Sequence, residues 1–262
     1  MSGSSLFPGL LAGKRGLVLG IANEQSIATG CARAFAGAGA VLAATYLNEK
    51  AKPHVQAVTD VLPCEILMPC DVQKPGELEA VFEAITQKWG ALDFLLHSMA
   101  FAPASDLHGR VVDCSLAGFT TAMDVSCHSF LRAAKLAEPL MPKGGALLAV
   151  TYIGSERVIP NYGMMGPVKA ALESAVRYAA VELGPKKIRV NAISPGPIAT
   201  RAASGIANFS ALLAKEAENS PGGEMVKIDD CGDMATFLVS DAARMINGGI
   251  IAIDGGEHIL GM

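Results

Sequence analysis

The chain has four tyrosines, and two of them, Tyr152 and Tyr162, stand ten positions apart in one short stretch. Lys169 follows Tyr162 by seven positions. Seven residues make two helical turns, so a helix over 162–183 would carry Tyr162 and Lys169 on one face. A phenol with an intrinsic pKa of about 10 needs a nearby cation to donate a proton or hydrogen bond effectively, and a lysine supplies that field. The chemistry this suits is stabilisation of an oxygen that gains negative charge. A half-buried tyrosine and a surface lysine on an ordinary amphipathic helix have the same spacing, so the pair gains meaning only from what surrounds it.

Further signals lie where β-rich runs end. Gly20 closes the first such run, and Ser26 and Ile27 follow where a helix should begin. Gly20 lets backbone approach a pyrophosphate, and Ser26 can cap the helix beside its positive end and offer a hydroxyl to phosphate. This is not the usual G-x-G-x-x-G fingerprint, and a plain turn with a serine cap reads the same way. Asp71 and Val72 end the third run. Asp71 can accept from an adenine amino group, with the next amide completing the base contact, or it can serve as a helix N-cap. The fourth run ends in His97, Ser98, Met99 and Ala100, small and apolar beside the place of a nicotinamide. His97 reads as a core histidine rather than a catalyst. The second run ends at 45–48 with neither acid nor arginine, and Lys50 lies further on. The missing arginine favours NADH over NADPH.

These places need a frame. Candidate strands at 16–20, 40–46, 65–69, 92–97, 146–152, 188–192 and 249–253 alternate with helical patterns near 26–37, 50–61, 76–89, 116–140, 162–183 and 229–240. Continuous apolar strands separated by helices imply a parallel sheet covered on both faces and wound in both directions. The expected fold is α/β, a single Rossmann-type doubly wound parallel sheet of about seven strands. Ligands then bind beyond the carboxyl ends of the strands. We expect one dinucleotide-binding and catalytic domain over 1–262, with 1–12 a loose lead-in and 200–220 a substrate-binding segment.

Composition narrows the function. Of 262 residues 51% are hydrophobic, enough for a core without disulfides or metals, and the net charge of −4 gives no basic surplus for nucleic acid. The six cysteines form no Cys-x-x-Cys pair and read as small buried hydrophobes in a reducing compartment, and the five histidines lack metal-ligand spacing. No apolar run reaches a membrane span and no signal peptide is evident, so a cytoplasmic protein is expected.

Over nearly its whole length the sequence resembles the classical enoyl-acyl-carrier-protein reductases of bacterial fatty-acid synthesis, a branch of the short-chain dehydrogenase/reductase superfamily. The two tyrosines with the seven-residue Tyr–Lys spacing carry the resemblance most specifically. Gly20 with Ser26-Ile27-Ala28, Cys70-Asp71-Val72, Phe101-Ala102-Pro103, Arg189–Ser194, Gly196-Pro197-Ile198 with Thr200, and Asp254-Gly255-Gly256 add to it. The resemblance implies NADH-dependent reduction of the trans-2 double bond of an enoyl thioester. It implies that Gly20, Ser26, Ile27, Asp71, Val72, Ser98, Met99 and Lys169 contact NAD, as do Ile198, Ala199, Thr200, Arg201 and Ala202. Tyr162 would hydrogen-bond the thioester carbonyl, Tyr152 would fill the second active-site tyrosine position, and Ala102 would touch substrate. Ser204–Ser220 would cover the acyl chain. A homotetramer and an acyl-carrier-protein partner are implied as well.

The sequence departs from the family pattern at four places. Leu47 replaces a polar residue near the adenosine. Ala100 replaces a glycine. Pro167 falls in the expected catalytic helix. The segment 206–212 lacks basic residues for an acidic carrier, leaving Arg201 and Lys215 as the nearest. A carbonyl or enoyl-CoA reductase of the same superfamily, or a non-catalytic NAD-binding protein, are the competing readings. The Tyr–Lys spacing argues against a carbonyl or alcohol substrate and leaves the carrier, acyl carrier protein or coenzyme A, open, while the intact Tyr152, Tyr162 and Lys169 argue against the non-catalytic reading.

Overall fold

The computed structural model describes residues 6–200 and 220–260. Seven strands, β1 (Arg15–Leu19), β2 (Val41–Tyr46), β3 (Cys64–Pro69), β4 (Phe94–His97), β5 (Gly145–Val150), β6 (Ile188–Pro195) and β7 (Ile250–Ile253), form one sheet. Every pairing is parallel, in the order β3-β2-β1-β4-β5-β6-β7. The order reverses at β1, where the chain winds first to one side and later to the other. The crevice between the exits of β1 and β4 is therefore the topological switch point at which such sheets bind ligands.

Apolar runs buried on both faces explain the parallel pairing. On one face, α3 (Glu77–Trp89), α6 (Ser129–Ala137) and α7 (Met165–Leu183) bring Leu78, Val81, Phe130, Leu172 and Val176 against the sheet. On the other, α1 (Ile27–Gly37), α2 (Lys52–Thr59) and α8 (Ile228–Val239) do so with Phe35, Val55, Ala235 and Leu238. All six cysteines are free, and Cys31, Cys70, Cys127 and Cys231 are buried as small core residues.

Two helical expectations are corrected. The stretch expected as one helix over 116–140 is α5 (Leu116–Met123), a five-residue π turn (Asp124–His128), and then α6. The Ser129 hydroxyl bonds the Val125 carbonyl within this turn, and His128 Nδ1 lies 2.8 Å from Asp124 Oδ1. Such turns recur beside functional sites because they re-aim side chains without ending the helix. The catalytic helix begins at Met165, not Tyr162. Asn161 (φ 64°) and Gly163 (φ 55°) adopt left-handed conformations that no α-helix accommodates, so Tyr162 sits in the turn before α7. Pro167 is the third residue of α7, where its missing amide is needed by no helical carbonyl, and the helix runs on unbroken.

Candidate active site

The β1 and β4 exits meet at Gly20. Its φ is 106°, and a Cβ there would lie 2.2 Å from the Ser98 carbonyl oxygen and 3.2 Å from the Met99 side chain. Ser98 in turn donates its amide to Leu19 O. Gly20 is thus demanded by the approach of two strand exits, a constraint beyond the turn signal visible in the sequence. From Gly20 the chain turns into α1. Ser26 occupies the N-cap position, yet its hydroxyl bonds no helical amide. It donates to Asn23 O at 2.9 Å and lies 2.8 Å from the Thr29 hydroxyl, which also donates to Asn23 O. The expected cap is a cross-link of the turn, which fixes the approach to the helix N-terminus beside Ile27.

At the neighbouring exits, Leu47 is 54% exposed after β2, beside the β3 exit, where Cys70 donates to Tyr46 O. Asp71 is not the N-cap of α3, a position held by Gly76. Its Oδ1 accepts from the Gln73 amide, its own amide donates to Glu77 at 2.7 Å, and the Val72 carbonyl accepts from Arg132 at 2.8 Å. The amide of Asp71 holds the Glu77 carboxyl below its ordinary range. An anchored carboxylate at this strand exit can accept from the edge of a purine. The Tyr46 hydroxyl donates to Glu49, which also lies 3.4 Å from Lys52. Ile198, Ala199 and Thr200 follow the exit of β6, with Ile198 packed on the core. Arg201, Ala202 and the segment 204–219 lie outside the described residues.

The catalytic candidates gather beyond β5. Tyr152 follows the strand rather than ending it, and its ring meets that of Tyr162 edge-to-face at a centroid distance of 4.9 Å. Gly154 makes this contact possible, since a Cβ there would reach 2.5 Å from the Tyr162 ring. Ala102, Tyr152 and Tyr162 share a small apolar cluster with Met164 and Val168. Burial, then the neighbouring Tyr152 and Glu173, push the Tyr162 hydroxyl well above the ordinary phenol range, so it keeps its proton. Lys169 is 5% exposed and donates from Nζ to the Val150 carbonyl at 2.8 Å. Burial lowers it to about 8, opposed by Glu173 and Cys127.

Two features escaped the sequence reading, and His97 is the core histidine expected. Thr151 donates to the buried Glu173 at 2.7 Å. The Ser126 hydroxyl bridges the amide and carbonyl of Phe101. His97 pairs through Nε2 with Ser129 at 2.7 Å, and burial pushes it down to about 3, which leaves it neutral. Ser129 spends its single proton on Val125 O, so His97 Nε2 is the donor and Nδ1 faces no partner. No group of His, Cys, Asp and Glu among the described residues could hold a metal.

The cofactor crevice and the paired tyrosines lie at one end of the sheet, the layout of a short-chain dehydrogenase/reductase. Comparison with known proteins narrows the class. Residues 20–258 match the family model described as Enoyl-(Acyl carrier protein) reductase. Enoyl-[acyl-carrier-protein] reductase [NADH] 2 of Rhizobium meliloti is 44% identical over 97% of this chain and 95% of its own. The crystal structure of an Anaplasma phagocytophilum enoyl-(acyl-carrier-protein) reductase in complex with NAD superposes with a TM-score of 0.94, at 43% identity and 99% coverage of both chains. The Bacillus cereus enoyl-acyl carrier protein reductase, solved with NADP+ and an indole naphthyridinone, also gives 0.94 at 43% identity, covering 97% and 99%. The chain belongs to the enoyl-(acyl carrier protein) reductase family.

Proposed function

We infer that the protein reduces the trans-2 double bond of enoyl thioesters with NADH, the reductive step of fatty-acid elongation. The observation that carries this is the edge-to-face Tyr152–Tyr162 pair beyond β5, with Lys169 buried on the following helix and bonded to the β5 exit. The residues present fit the cofactor. Gly20 keeps the switch crevice clear of side chain, Asp71 offers an anchored carboxylate, and Lys169 has two ammonium donors beyond the one given to Val150.

NADH, when bound, would supply hydride to the β-carbon of the substrate, and the resulting enolate would then take a proton from solvent at the α-carbon. The Tyr162 hydroxyl donates to the thioester carbonyl oxygen, where negative charge develops, and its raised pKa keeps it a donor throughout. Lys169 binds the nicotinamide ribose and places positive charge beneath the site. Tyr152 holds the Tyr162 ring edge-on and so fixes the direction of its hydroxyl. Gly20, Ser26, Ile27, Leu47, Asp71, Val72, Ser98, Met99, Ile198, Ala199, Thr200, Arg201 and Ala202 are assigned to the cofactor, and Ala102 to the substrate.

We assign the chain one domain, with 200–220 as the substrate-binding segment, and place it in the cytoplasm as a homotetramer acting on acyl-carrier-protein thioesters. No helix among the described residues is long and apolar enough to cross a membrane. NADH oxidation measured with a crotonyl thioester, with a simple ketone and with no substrate tests the reading. Turnover with the thioester alone is expected. Turnover with the ketone alone would overturn it.

A further inference from the structure

Glu173 is a buried carboxylate to which the reaction above gives no task. It is 3% exposed on α7, one turn after Lys169, which is 5% exposed. The two residues reach adjacent positions at the end of β5. Lys169 Nζ donates to the Val150 carbonyl at 2.8 Å, and Glu173 Oε1 accepts from the Thr151 hydroxyl at 2.7 Å. Helix α7 is thus pinned to the strand exit by two side chains, one cationic and one anionic. Lys169 and Glu173 form no contact ion pair, so the carboxylate acts on the ammonium through space.

A buried charge survives only where something compensates its lost hydration. Other titratable groups act on Lys169 from the elements around it. Cys127 does so from the π turn and His97 from β4, while Tyr162 in the preceding turn shares the field of Glu173. Burial holds the thiol of Cys127 and the phenol of Tyr162 in their neutral forms, and His97 is neutral as well. Glu173 is the acidic side chain of the set, and it is held by the Thr151 hydroxyl.

We propose that Glu173, fixed by the Thr151 hydroxyl, is a positioning residue that keeps Lys169 charged and in register for the cofactor ribose. The proposal rests on the reading of Lys169 as a ribose ligand. The arrangement separates the anion from the cation by a helical turn, so the ammonium is supported without its free donors being consumed.

The test is the pH dependence of NADH affinity, read by nucleotide fluorescence, with Glu173→Gln, Thr151→Val, Thr151→Ser and Lys169→Met beside the wild type. Wild-type affinity should fall as pH rises through about 8, where Lys169 loses its proton. In Glu173→Gln that fall should begin about one pH unit lower, leaving affinity at pH 8 roughly five- to tenfold weaker. Thr151→Val, which keeps the carboxylate but frees it, should shift in the same direction by less, and Thr151→Ser should follow the wild type. Thr151→Val also carries the test should Glu173→Gln fail to fold. A wild-type pH curve in Thr151→Val and in any folded Glu173→Gln, with affinity lost in Lys169→Met, overturns the role of Glu173 alone. Unchanged affinity in Lys169→Met overturns the ribose contact and this proposal with it.

Discussion

The hydroxyl of Ser126 bonds both ends of one residue: it accepts from the Phe101 amide at 3.0 Å and donates to the Phe101 carbonyl at 3.2 Å. The π turn aims Ser126 out of the α5–α6 stretch, and Phe101 lies just past the β4 exit beside Ala102. The stretch proposed to line the substrate site is therefore fastened by a side chain from the π turn. Ser126→Ala removes both bonds, at about 1 kcal/mol each. The fold should persist, while KM for the enoyl thioester rises roughly five- to tenfold and NADH affinity changes little. Steady-state kinetics with direct NADH titration checks the split, and an unchanged KM would show that the loop holds itself.

Gly20→Ala should be severe. A methyl placed 2.2 Å from the Ser98 carbonyl, on a residue with φ of 106°, must push the β1 and β4 exits apart. Strain of roughly 2–4 kcal/mol is expected, with NADH affinity down at least about tenfold. Thermal melts with and without NADH read both effects. A variant with wild-type Tm and affinity would contradict the close approach.

Tyr162→Phe keeps the ring against Tyr152 and Gly154 and deletes the donor. Turnover should fall by about 10²–10³, with NADH binding intact. Because burial keeps the Tyr162 proton in place well beyond the ordinary phenol range, the wild-type rate profile should show no limb from this residue. Rate–pH curves of wild type and variant decide the point.

Lys169 trades stability for function. Its folded pKa of about 8 lies below the ordinary 10.5, so between these values the unfolded chain binds more protons than the folded one. Stability from this group therefore rises as pH goes from 8 to 10.5, and the cost of burying the charge is at its full value below 8. That cost is about 3 kcal/mol, set against one hydrogen bond to Val150. Lys169→Met should unfold at a higher denaturant concentration than the wild type at pH 7, by an equivalent of about 1–3 kcal/mol, and bind NADH poorly. Equal stabilities at pH 7 would refute the penalty.

NADH should be preferred to NADPH. Glu49, tied to Tyr46 and near Lys52, adds negative charge past the β2 exit, where the segment 45–48 has no arginine. The ratio of kcat/KM for the two cofactors should favour NADH by about tenfold or more. An excess in favour of NADPH would point to Lys50 as the phosphate ligand.

The sheet was legible because continuous apolar runs such as 17–19 and 146–150 admit few alternatives once helices separate them. Gly20, Asp71 and the Tyr162–Lys169 spacing were legible because each stands at a strand exit, where chemistry concentrates. Their geometry was less so. A seven-residue spacing implied one helix, but the positive φ of Asn161 places Tyr162 in a turn, and nothing in the residue type forced that angle. Ser26 carried a cap signal, yet Asn23 O and Thr29 compete for its hydroxyl. Ser126, Thr151 and Glu173 left no local trace, because their roles arise from partners 22 or 25 positions away.

The order of the sheet has a mechanical consequence. The strands divide into β3-β2-β1 and β4-β5-β6-β7, and the two groups share a single seam, the pairing of β1 with β4. A dinucleotide bound at the switch point, as proposed, would lie across the end of that seam, with one half on each side. It would act as a clasp, so that opening the seam would require releasing the ligand. Amide exchange at Leu17, Leu19, Leu96 and Ser98, whose amides face across the seam, should slow on binding NADH more than exchange within β5 and β6, which no seam divides.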